Sequence, residues 1–114
     1  MENPIKRKST ITIDVGLNEN NVPQSLNWSA EDGKVMQEEA SAFLLSIWDP
    51  RSKNTMKIDL WTTEMTVDEM KIFFHQTLLS MADTFEKATG ETKIIDDLRD
   101  YCFHFADKMD IMPE

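Results

Sequence analysis

Few side chains in the chain titrate or attack near neutral pH: two histidines, His75 and His104, and one cysteine, Cys102. His75 stands between Phe74 and Gln76, with no acid or second histidine a helical turn away. Asp100, His104 and Asp107 recur at four- and three-residue steps and so share one helix face. That arrangement holds a metal when a second element adds ligands. None is evident, so a surface Asp–His hydrogen bond is the expectation. Cys102 has no neighbouring base and lies on an apolar stripe, which points to a buried and inert thiol. None of the three glycines frames a phosphate-cradling loop, and Ser29, Ser46 and Ser80 stand in no nucleophile motif. The carboxylate pairs Asp96–Asp97 and Glu38–Glu39 read as solvated, with a glycosidase-like pair as the open alternative. The expectation is a protein that is not an enzyme and needs no cofactor and no metal.

Composition narrows the class. A chain of 114 residues suits one domain: a flexible tail over residues 1–8 and a single α+β domain over 9–112. Twelve basic against 21 acidic side chains give a formal charge of −9. So acidic a surface argues against nucleic acid and anionic lipid. A lone cysteine forms no internal disulfide and suits a reducing compartment. Polar residues follow the basic cluster Lys6-Arg7-Lys8, where a secretory signal needs an apolar core. No apolar run approaches the roughly 18–20 residues of a membrane span. These readings predict a cytoplasmic protein without membrane insertion.

The elements that position these residues show in the periodicity. In Lys57–Ala88 a two-residue alternation, with Ile58, Leu60 and Thr62 on one side, gives way to a helical pattern. Thr66 and Glu69 have capping-box spacing at the junction. Met70, Phe73, Phe74, Thr77, Leu78, Met81, Phe85 and Ala88 then form the expected apolar face of a long helix. Thr89-Gly90 ends it, and a last helix from about Thr92 to Asp110 carries Ile94, Ile95, Leu98, Tyr101, Cys102, Phe105, Ala106 and Met109. Upstream, Ser9–Leu17 and Leu26–Ala30 alternate as strands across the turn-rich Asn18–Pro23. The expected hairpin sets Leu17 against Leu26, Val15 against Trp28 and Ile13 against Ala30, with Trp28 in the core. Glu31–Ala40 reads as a solvated acidic helical turn or a loop; it lacks the alternating Asp/Asn ligands and turn glycine of a calcium loop at their proper spacing. Ser41–Trp48 and the strand after Asp49–Asn54 form a second hairpin, with Ile47 opposite Met56, Leu45 opposite Ile58 and Phe43 opposite Leu60. The predicted fold is a four-stranded antiparallel sheet of two hairpins, followed by two C-terminal helices packed on one face.

Eight methionines are a high count, and Met65, Met70 and Met81 fall where a core needs filler. The second register leaves Leu44, Trp48 and Trp61 on the sheet face away from the helices, beside Lys57 and Asp59. Large apolar groups on a face open to water call for a cover. Either a protein partner or second copy docks there, or Glu31–Ala40 folds across it within the chain. The five residues form the candidate partner-binding site.

The runs AFLLSIWDP and MKIDLWTTEMTVDEMKIFFHQTLLSMADTFEKATG resemble the GldC family of gliding motility-associated proteins of Bacteroidota. STITIDVGLNENNVPQSLNWSAEDG is similar to the N-terminal half of the same family, so the resemblance runs from about Ser9 to Met109. It implies a small soluble accessory or adaptor protein that binds components of the gliding or secretion machinery, without catalysis. The strand-then-helix layout is also similar to the export chaperone SecB, and implies as the alternative a holdase for unfolded secreted clients.

Overall fold

Two-residue alternation builds five antiparallel strands, and three- and four-residue steps build two helices, in a computed structural model that describes residues 4–111. Residues 1–3 of the expected tail and residue 112 of the expected domain lie outside the described residues. The elements are β1 (Ile11–Leu17), β2 (Pro23–Ala30), β3 (Val35–Ala40), β4 (Ala42–Asp49), β5 (Asn54–Trp61), α1 (Val67–Thr89) and α2 (Thr92–Lys108). The class is α+β with both helices C-terminal, as expected. The single four-stranded sheet is not what forms: a three-stranded sheet of order β1-β2-β3 and a two-stranded sheet β4-β5 replace it. The chain divides between Met65 and Thr66 into a compact strand unit and a compact helical unit.

The extra strand is β3, in the segment read as a helical turn or loop. Val35 pairs with Ala30, Glu38 with Trp28 and Ala40 with Leu26. Between them Gln37 takes a left-handed backbone, φ 49°, and donates its N–H to the Ser29 hydroxyl at 3.0 Å. This bulge inserts one residue and breaks the alternation that betrays a strand. In the first hairpin the faces are as expected, but the register is two residues off. Val15 opposes Leu26, Ile13 opposes Trp28 and Ile11 opposes Ala30. The Asn18 side chain causes the slip by accepting from the N–H groups of Asn20 and Val22, at 2.8 and 3.0 Å. Pairing therefore starts at Pro23 rather than Leu26. Ahead of β1, the Arg7 guanidinium forks onto the Asp32 carboxylate at 2.9 and 3.3 Å and holds its pKa below the usual range.

Only Ser41 separates β3 from β4. Its carbonyl accepts the Thr62 N–H at 2.8 Å, just past the Ala42–Trp61 pair, so pairing with the β5 side reaches the junction itself. Thr62 is 4% exposed, the one buried polar side chain among the described residues.

In the helical unit, α1 and α2 run antiparallel. Ile95, Cys102 and Ala106 of α2 are buried with Ala82 of α1. Small residues at Ala82 and Ala106 let the two backbones approach. Arg99 bridges back to Asp83 and Glu86 at 2.8 and 3.0 Å, and the two carboxylates keep it charged. The seam on α1 is rotated from the expected stripe: Ala82 is buried while Phe74, Met81 and Phe85 are exposed. Gly90 closes α1 with a left-handed φ of 71°, and its N–H donates to the Glu86 carbonyl.

The capping box forms as predicted. The Glu69 N–H donates to the Thr66 hydroxyl and the Thr66 N–H to the Glu69 carboxylate, both at 3.0 Å. The Thr66 N–H, and then the Thr66 hydroxyl, which also donates to the carboxylate at 3.1 Å, hold the Glu69 pKa below its ordinary value. The carboxylate therefore contributes stability that is complete above the ordinary glutamate range and lost as pH falls through the lowered value. Thr66→Ala should cost about 1 kcal/mol in denaturant melts. Combined with Glu69→Ala, the loss should be less than additive at neutral pH, and the coupling should fade in acid. Strict additivity at neutral pH would contradict a reciprocal box.

Candidate protein-binding surface

The β4–β5 hairpin is built around its turn. Asp49 accepts the Arg51 N–H at 3.0 Å and the Ser52 hydroxyl at 2.8 Å through its carboxylate, and the Lys53 N–H at 2.8 Å through its carbonyl. The Ser52 hydroxyl, then the Arg51 N–H, holds the Asp49 pKa below the carboxylate range. Lys53 takes the left-handed conformation, φ 58°, that lets the chain reverse into β5. The register that follows is the predicted one: Ile47 opposes Met56, Leu45 opposes Ile58 and Phe43 opposes Leu60.

Because opposite residues share a face, this register gathers the five candidate residues. Trp61 opposes Ala42, Asp59 opposes Leu44, Lys57 opposes Ser46, and Trp48 lies across from Thr55. Leu44, Trp48 and Trp61 are 40%, 61% and 55% exposed. Lys57 and Asp59, two residues apart on the same face, make no ion pair among the described residues. Val35–Ala40, in the segment expected as the alternative cover, is paired to β2 as β3, and the three apolar side chains stand exposed beside it. The surface is therefore apolar and aromatic, with one charge of each sign at its margin. Such a surface can exclude water against a partner, and its charges can orient that partner.

Two features escaped the sequence reading. The supposedly inward face of the hairpin is exposed as well, at Ile47, Met56 and Ile58. An apolar cleft of about 300 Å³ also joins the first sheet to the candidate surface, lined among others by Ile13, Leu26, Trp28, Ala40, Ala42 and Leu44. Trp28, expected in the core, stands at this cleft and is partly exposed. The signal was in the sequence: Ala40, Ala42 and Leu44 keep one alternation across Ser41.

The chemically versatile side chains are dispersed. His75 stacks on Phe105 across the helical seam, centroids 6.3 Å apart and planes at 10°, and His104 lies against Tyr101 at 5.8 Å. No group of three His, Cys, Asp or Glu suited to a metal occurs among the described residues. Asp96, Asp97, Glu38 and Glu39 are exposed. Burial pushes the Cys102 thiol up, against the opposing pull of Arg99. Native protein should thus react with a disulfide reagent at neutral pH far more slowly than unfolded protein. Equal rates would show that the seam opens readily.

The family described as gliding motility-associated protein GldC-like matches residues 23–111, from the start of β2 to beyond α2. The resemblance seen in the sequence began earlier, at Ser9, so β1 lies outside the matched range. No curated protein and no solved structure matches the chain. Among the described residues, no helix is long and apolar enough to cross a membrane. With most of its length matched, the chain belongs to the GldC-like family of gliding motility-associated proteins.

Proposed function

We propose that this protein is a non-catalytic accessory or adaptor of gliding motility that acts by binding another protein through the Leu44, Trp48 and Trp61 face. The observation that carries the reading is the alignment of three exposed apolar side chains on one face of a hairpin whose turn is tightly bonded. Half-exposed tryptophans have little to gain from water and much from a partner's pocket, which is why they recur as binding anchors. Lys57 and Asp59 select orientation more than strength. The partner belongs to the gliding or secretion machinery, in keeping with the family. A cytoplasmic site of action accords with a single buried cysteine and an acidic surface. The chaperone alternative drew on four strands before two helices; five strands in two sheets remove that ground.

The test is a tagged capture from gliding cells with wild type and a Trp61→Ala, Leu44→Ser variant. Truncating one anchoring tryptophan commonly costs ~2 kcal/mol or more of binding, about thirtyfold. The variant should lose the captured protein while melting at nearly the wild-type denaturant midpoint. A variant that unfolds much more easily yet captures normally would make the face core and place the interface elsewhere.

A further inference from the structure

The outer edge of β5 has no strand partner among the described residues. Asn54 to Asp59 are all exposed, and the strand carries neither proline nor bulge. Natural edges are usually blunted by such devices or by unmatched charges. Here the charges, Lys57 and Asp59, flank Ile58 symmetrically.

We propose that β5 pairs antiparallel with β5 of a second copy about a two-fold axis at Ile58, giving a continuous four-stranded sheet β4-β5-β5-β4. The inference deepens the protein-binding reading by naming a second copy as the occupant of the edge, and leaves Leu44, Trp48 and Trp61 to a different protein, with Lys57 and Asp59 standing where the two surfaces meet. In this register Ile58 opposes Ile58, Met56 opposes Leu60, and Lys57 opposes Asp59 twice over. Apolar residues then meet apolar residues on one face, and opposite charges meet on the other. Neighbouring registers fail for stated reasons. A shift by two sets Lys57 against Lys57 or Asp59 against Asp59. A shift by one puts the apolar side chains of one copy opposite the polar ones of the other. A two-fold contact must be self-complementary, and the sequence Met56-Lys57-Ile58-Asp59-Leu60 is. The other open edges lack this selection, because β3 carries only glutamates as charges and β1 and β4 each carry a single aspartate.

The pairing also answers a local instability. A lone two-stranded hairpin is marginal in water, whereas four strands with shared apolar faces are not. Exposed Ile47, Met56 and Ile58 would become one layer with their copies.

The experiment is light-scattering mass of the purified protein across concentration. Wild type should move from 13.2 kDa to twice that value. Lys57→Asp and Asp59→Lys, each placing like charges opposite, should raise the dimer dissociation constant on the order of tenfold or more. The double variant, Lys57→Asp with Asp59→Lys, restores opposite charges with reversed sign and should recover the dimer. Wild type that stays monomeric to millimolar concentration overturns the proposal. So do single variants that dimerise like wild type, and a double variant that stays monomeric with a wild-type circular dichroism spectrum. Mass of pure protein reports the edge alone, and capture of a different protein reports the tryptophan face, so either idea can fail without the other.

Discussion

The Thr62 N–H to Ser41 carbonyl bond, 2.8 Å long beside a nearly buried threonine, marks the constraint on which the strand unit depends. Residues 35 to 49 form two strands, β3 and β4, separated by Ser41 alone. The run spends its first part on β2 and its second on β5, so it belongs to both sheets. Every backbone group on such a run must find a partner or face water. The Ser41–Thr62 bond carries pairing across the point of change. Alternation carries through with it, which is why Ala40, Ala42 and Leu44 line one cleft with Leu26.

From this division follows the character of the β4–β5 hairpin. Its turn is specified by three well-formed bonds to Asp49 and its register by apolar pairs, so its shape is well determined. Its surfaces are not satisfied in the same way. Leu44, Trp48 and Trp61 on one face, and Ile47, Met56 and Ile58 on the other, remain exposed in one chain. A well-specified backbone carrying unsatisfied apolar faces is the physical profile of a binding element. The helical unit differs, with its seam filled by Ile95 and Cys102 and clamped by Arg99.

Much of this was legible in the residues, for local reasons. The second hairpin declared itself because one register alone matched all its apolar pairs, and α1 because Thr66, Glu69 and Gly90 carry helix-end chemistry within a few residues. The first hairpin kept its faces but slipped by two, because Asn18 uses its side chain to tighten the turn. β3 was hidden by the bulge at Gln37, whose left-handed backbone no hydrophobic pattern announces. The α1 seam depends on Arg99 reaching Asp83 and Glu86 from another helix, a pairing that periodicity within α1 does not contain. As for the candidate site, the shared face of Leu44, Trp48, Lys57, Asp59 and Trp61 followed from register. The exposure of the opposite face did not, since alternation says which residues lie together and not what covers them.

The central claim is that the β4–β5 hairpin is covered by protein in the cell and bare in the isolated chain. Hydroxyl-radical footprinting of the same protein in living gliding cells and in dilute purified form tests it most directly. The account predicts that Trp48 and Trp61 are oxidised readily when purified and protected in the cell, while Tyr101 and Phe103 on exposed positions of α2 are oxidised alike in both. Equal labelling of Trp48 and Trp61 in the two states, or protection confined to α2, would contradict it.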